Sequence, residues 1–103
     1  MNTEQITVVA YLEVKPGSEA AFLKDIPALV AATRQEAACL NYDFHQATDN
    51  PAVFMFYENW TSMAGLQEHA RTAHLQAFRK NTADLMAKPT ELKIFRMVSD
   101  LAA

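Results

Sequence analysis

Cysteine and glycine are nearly missing from this chain, which has one cysteine, Cys39, and two glycines, Gly17 and Gly65, in 103 residues. A lone cysteine excludes an internal disulfide and fits a reducing cytoplasm. Two glycines that far apart cannot build the Gly-rich loop that cradles the phosphates of a flavin or nicotinamide, so no organic cofactor is expected. No hydrophobic run approaches the ~18 residues that a membrane span requires. A basic stripe is also absent: the net charge is −3 and the nine Lys and Arg are scattered, which argues against a nucleic-acid partner. The opening residues MNTEQITVVAYLEV carry no positive start and meet acidic Glu13 early, so they do not read as a signal peptide. Without such a signal the Asn59-Trp60-Thr61 sequon is discounted. What is present is a globular balance, 50% hydrophobic and 20% charged, in one cytoplasmic domain over residues 1–103 with no room for a second core.

Periodicity divides the chain into β-α-β-β-α-β. Ile6, Val8, Ala10, Leu12 and Val14 alternate with Thr7, Val9, Tyr11 and Glu13, a strand. Lys15-Pro16-Gly17-Ser18 is a turn into a helix, with Ser18 as N-cap and Phe22, Ile26, Leu29, Val30 and Thr33 on one face. Pro27 cannot sit inside that helix undisturbed, so a kink or break is expected just before it. Leu40–Ala47 and Ala52–Trp60 read as strands of a hairpin around Asp49-Asn50-Pro51. Helical pattern resumes at Ser62, with an interruption near Arg71-Thr72, and runs to about Met86. Lys88-Pro89 closes it, and Leu92–Val98 is the last strand. This order is the ferredoxin-like α+β arrangement, whose helices cover one sheet face. The third strand is nevertheless apolar on both faces: Val53, Met55 and Tyr57 on one, Phe54, Phe56 and Trp60 on the other. A second cover is needed, and another copy of the chain supplies it, so a two-fold homodimer packed sheet to sheet is expected.

The densest chemistry lies between Pro51 and Phe78. Glu58 and Trp60, two apart on a strand, share a face. If that face meets the helices, Glu58 sits among Phe54, Phe56 and the indole, where desolvation raises its pKa and makes it a proton carrier. Otherwise it is a solvated acid paired with Arg71 or Arg79. Trp60 is either a stacking platform for a flat substrate or core filler. His69 and His74, five apart, point well away from each other on a continuous helix, and no cysteine or carboxylate completes a metal set, so no metal is expected. A helix break capped by Thr72 would turn both inward, where a neutral imidazole is the natural base for a phenolic hydroxyl. His45 shares a strand face with Asp43, opposite Tyr42 and Phe44, so an edge or interface position competes with a role in the cavity.

Three motifs, Cys39-Leu40-x-Tyr42-x-Phe44-His45, Phe54-x-Phe56-Tyr57-Glu58-x-Trp60 and His69-x-x-Thr72-x-His74-x-x-x-Phe78, resemble the antibiotic biosynthesis monooxygenase domain family of small dimeric α+β-barrel proteins. The resemblance implies His69, His74 and Glu58 as catalytic candidates and Trp60, His45, Phe54, Phe56 and Phe78 as substrate-binding ones. It implies a cofactor-free oxidation of a quinol or polyphenol by O2, with His69 or His74, or else Glu58, as base. Members of the family also degrade haem or isomerise small phosphorylated sugars, and a non-catalytic ligand-binding protein would share the fold. Two positions depart from the family. Ala38 stands where a glycine often precedes the cysteine, so the first helix must stop by another route. Ala10 or its neighbours stand where the haem-degrading branch carries an asparagine, which speaks against haem degradation.

Overall fold

The first strand, β1 (Ile6–Glu13), alternates buried side chains with half-buried ones and the exposed Tyr11, because one side of it meets helices and the other does not. The computed structural model describes residues 4–99. A turn follows β1, in which Gly17 adopts φ 92°, a left-handed conformation that costs other residues a Cβ clash. Ser18 then occupies the N-cap position of α1 (Glu19–Lys24), but its side chain caps nothing. The Glu19 carboxylate takes the Gly17 N–H instead, so the expected serine cap is a cap by position only.

Asp25 separates α1 from α2 (Ile26–Arg34), with Pro27 in the first turn of the second helix. Proline is accommodated there because the first turn has no intrahelical partner for its N–H, which is the break expected from the sequence. The hairpin follows: β2 (Cys39–Gln46) and β3 (Val53–Trp60). A register irregularity between Cys39 and Asn41 swings Leu40 outward and keeps both Cys39 and Tyr42 on the inner face. Helix α3 (Met63–Arg71) starts at Ser62, whose hydroxyl accepts the Gly65 N–H. Thr72 ends it in extended backbone and caps α4 (Ala73–Thr82) by accepting the Leu75 N–H, as the sequence anticipated. A single 3-10 turn and Met86 lead to β4 (Glu91–Arg96).

The sheet order is β2-β3-β1-β4 with every neighbour antiparallel, a four-stranded ferredoxin-like α+β fold. The helices all pack on one face. Phe22 of α1 is fully buried there, with ring centroids 5.1 Å from Phe54, 5.6 Å from Phe78 and 6.2 Å from Phe44. Strand β4 has no equivalent: this edge strand carries no helix over it, and Leu92 and Ile94, on its inner face, stay exposed. On the opposite sheet face Tyr11, Tyr57 and Phe95 are exposed. Among the described residues no helix is long and apolar enough to cross a membrane.

The first helix pair stops without glycine. The N–H groups of Gln35, Glu36 and Cys39 bond back to Ala32, Thr33 and Glu36 in successive turns, and none of these residues needs positive φ. Ala38 has room for its methyl because Gly65 lies against it. A Cβ built at Gly65 would collide with the Ala38 Cβ. The glycine that the family often has before the cysteine has in effect a counterpart across the contact, on α3.

Candidate active site

Between the inner sheet face and helices α3 and α4 lies a cavity of about 370 Å3. Its walls are mostly apolar, with Leu12, Phe56, Leu66 and Phe78 inside and Leu92 and Ile94 at the uncovered β4 edge. Tyr42, Glu58 and His69 contribute the buried polar groups, and Arg79 stands on the exposed side. The register explains the first two: Tyr42 lies directly across from Glu58 in the hairpin, and both point toward the helices.

Glu58 is 4% exposed, and the Trp60 indole N–H donates to its Oε1 at 2.9 Å. Burial pushes this carboxyl up to about 7, the indole hydrogen bond pulls it partly back, and the charge of Glu36 adds to the rise. Glu58 therefore exchanges a proton near neutral pH, as a dry carboxyl among aromatics should. Trp60 itself is 0% exposed and does not line the cavity. Of the two sequence expectations for Trp60, the indole platform for substrate is corrected and the core position holds: the indole packs behind the wall and donates to the Glu58 carboxyl. Burial also raises the Tyr42 phenol far above its ordinary range, with the charge of Glu58 contributing, so it remains a neutral O–H.

The helix break at Thr72 brings the histidines together. His69 Nδ1 and His74 Nε2 both lie 2.7 Å from the same oxygen, Oε2 of Glu36, which reaches in from the turn after α2. A carboxylate accepts only, so each imidazole donates its N–H to it. That commits His69 to the Nδ1–H tautomer and leaves Nε2, with its lone pair, as the nitrogen free for the cavity. Its ring is wedged by Trp60, centroids 4.6 Å apart, and by Tyr42 at 5.4 Å. Burial lowers the proton affinity of His69, and the Glu36 carboxylate opposes that shift. The pair has the geometry of a carboxylate-oriented general base.

Several expected residues fall elsewhere. His74 meets His69 through their shared Glu36 oxygen and is not part of the cavity wall. Phe54 is buried behind the wall against Phe22 and Phe44, because the cavity begins one residue pair further along β3. His45 pairs with Met55 on the outer sheet face, exposed, as strict alternation from Tyr42 requires. Phe56 and Phe78 do line the cavity. The statement that no carboxylate completes a set with the two histidines is overturned by Glu36. Nothing in the local pattern at Gln35-Glu36 separates this acid from an ordinary helix-end charge. Tyr42 was more accessible, since pairing the hairpin strands already places it opposite Glu58.

Comparison with known proteins agrees with this architecture. PA3566 from Pseudomonas aeruginosa superposes with a TM-score of 0.88 at 28% identity, covering 96% of this chain and 99% of that one. The Bacillus subtilis protein named "Putative monooxygenase YcnE" is 30% identical over 84% of this chain and 92% of its own length. The Synechocystis protein sll1783 is 30% identical over 91% of this chain, which spans 64% of that longer relative. The family profile described as antibiotic biosynthesis monooxygenase matches residues 5–81, three-quarters of the sequence and all the elements that build the cavity except β4, and on this evidence the chain belongs to that family.

Proposed function

We propose that this protein is a monooxygenase that oxidises a small phenolic aromatic, of quinol or polyphenol type, with O2 and no organic cofactor. The observation that carries the reading is the Glu36–His69 contact at 2.7 Å, which orients a neutral imidazole at the wall of an apolar cavity. The family to which the chain belongs supports oxygenase chemistry, and the sequence offers no phosphate-binding glycine loop.

His69 Nε2 takes the phenolic proton. The phenolate, desolvated between Phe56, Leu66 and Phe78, is electron-rich at a ring carbon that still bears hydrogen. That carbon passes an electron to O2, and the radical pair recombines into a C–O bond, giving a hydroperoxide once the peroxide oxygen is protonated; the Glu58 carboxyl supplies that proton. Loss of the ring C–H proton and cleavage of the O–O bond then release water and leave a carbonyl. One oxygen atom ends in the quinone and the other in water, so no outside reductant is required. Proton transfer by a positioned base contributes roughly 10²–10⁴-fold. A dry cavity keeps the radical pair together and excludes side reactions.

The apolar walls speak against a phosphorylated sugar, for which Arg79 would be the one arginine at the cavity among the described residues. We also place the active form as a homodimer, with Tyr11, Tyr57 and Phe95 of the outer sheet face covered by a second copy, in a reducing cytoplasm that suits the single Cys39. The test is oxygen uptake with naphthalenediol-type quinols. Wild-type protein should consume O2 and form a hydroxyquinone one oxygen atom richer than the parent quinone, with water and no hydrogen peroxide as the other product, and His69→Ala should not. Equal uptake by the two proteins rejects the assignment. Conversion without O2 would favour an isomerase, a Soret band on titration would favour haem, and saturable binding without turnover would favour a binding protein.

A further inference from the structure

The clamp that orients the base is also a donor set for a transition metal, and we propose that Glu36, His69 and His74 bind one Zn2+-class divalent cation whose arrival switches the base off. The three donor atoms all lie within 4.8 Å of one another. They come from three different elements, the turn after α2, helix α3 and helix α4, and the Thr72 cap fixes the angle between the two helices. Zinc bonds to imidazole nitrogen and carboxylate oxygen at about 2.0–2.2 Å, so tetrahedral donors stand roughly 3.3 Å apart. The present 2.7 Å separations of Glu36 Oε2 from each imidazole are those of hydrogen bonds. Admitting an ion asks the Glu36 carboxylate to retreat by a few tenths of an ångström and the two imidazole nitrogens, up to 4.8 Å apart, to close toward each other, a movement that the partly exposed His74 side chain provides by rotation.

Two imidazoles, one carboxylate and a water make a ligand set for zinc, cobalt or iron, and not for calcium or magnesium, which want oxygen. Entry is from the His74 side, where that side chain is 27% exposed while that of His69 is 5% exposed.

The consequence for catalysis, which rests on the reading of His69 given above, follows from the tautomer. A metal at Nδ1 takes the lone pair of that nitrogen, so the ring proton leaves Nδ1 and one is taken up at Nε2. His74 makes the converse exchange, losing its proton from Nε2 and gaining one at Nδ1. No net proton is released and the site gains the two charges of the ion. Nε2 of His69 is then an N–H and accepts nothing from a substrate hydroxyl. Metal and turnover are thereby mutually exclusive at one residue.

The experiment uses the full chain, stripped by a chelator and then titrated with Zn2+ in a calorimeter and with Co2+ by visible absorption. One ion per chain is expected, with intense cobalt bands of low coordination number. Glu36→Gln and His74→Ala should each weaken binding by at least about a hundredfold, the upper end of what loss of a mere outer-shell partner costs. His74 is partly exposed, so its variant remains folded and informative even if Glu36→Gln does not. His45→Ala removes the third histidine and should leave binding unchanged. Absence of stoichiometric binding, or binding indifferent to His74→Ala, overturns the site. Zn2+ should abolish quinol-dependent oxygen uptake and the chelator should restore it. Tight binding with unaltered uptake overturns the switch and leaves the proposed reaction standing. A metal-free protein that takes up no oxygen sinks that reaction and the switch with it, while calorimetry still decides the site.

Discussion

The two faces of strand β3 differ more than the alternation of their residues suggests. On the inner face Phe54, Phe56, Glu58 and Trp60 are all buried, and among the described residues the one carboxyl in this row takes its side-chain hydrogen bond from an indole. On the outer face Asn59 is buried too, yet both ends of its amide are bonded: it accepts from Thr7 and donates to Asn41 at 2.8 Å, and Asn41 in turn donates to Asp43. Polar groups on the outer face satisfy one another in a ladder between strands. Those on the inner face are held apart by rings, where they keep a proton to exchange. Burial alone therefore does not make a site; burial with an unspent donor or acceptor does.

Removing the proposed base is the severest way to sharpen this contrast. His69→Ala should lower quinol-dependent oxygen uptake by roughly 10²–10⁴-fold, whereas His45→Ala on the outer face should leave it unchanged. Comparable losses from both would erase the distinction between the faces. The core should answer similarly. Phe22→Ala, which strips three aromatic contacts from the inner layer, is expected to cost about 3–5 kcal/mol by denaturant melting. Tyr57→Ala on the outer face, where the side chain is 42% exposed, should cost far less per chain and show itself instead as dissociation of the proposed homodimer by light scattering.

Two smaller effects probe the inner face more finely. Gly65→Ala should destabilise by about 1–3 kcal/mol through its collision with Ala38, and adding Ala38→Gly should recover most of that loss. Failure of the rescue would mean that α3 is positioned by something other than this contact. Glu58→Gln keeps an acceptor for the Trp60 N–H and removes the titration. Because the folded carboxyl titrates near about 7 and the unfolded one near its usual value, the native state binds the extra proton between them, and stability should fall as pH rises from about 4.5 to 7. The amide variant should lack that decline and exceed the wild type at pH 8 by on the order of 2 kcal/mol. Tyr42, which raises no charge of its own, and the more distant Glu36 and Arg79 stay in place in both proteins. Identical pH–stability curves would show that Glu58 is better solvated than its burial indicates.

Strand alternation, the proline break before α2 and the Thr72 cap between α3 and α4 are local matters. Steric and hydrogen-bonding preferences over a few residues decide them, so they were legible in the chain itself. For Glu58 only the shared face with Trp60 was legible, because alternation fixes it; whether that face buries the acid or leaves it solvated beside an arginine is decided only once the helices are in place. The family was visible in the spacing of three motifs. Trp60, by contrast, was placed on the right face and at the wrong depth, since alternation gives direction and not distance from a cavity.

What the amino-acid order determined by itself is the succession of elements, the face on which each side chain lies and the absence of a phosphate-binding loop, all set by interactions within a few residues. Only the tertiary structure brought Glu36 to His69 and His74, across 33 and 38 positions of sequence. It also left β4 without a helix, so that the cavity opens along that edge. These depend on how helices lean against a twisted sheet, a collective outcome of packing that no short window of residues encodes.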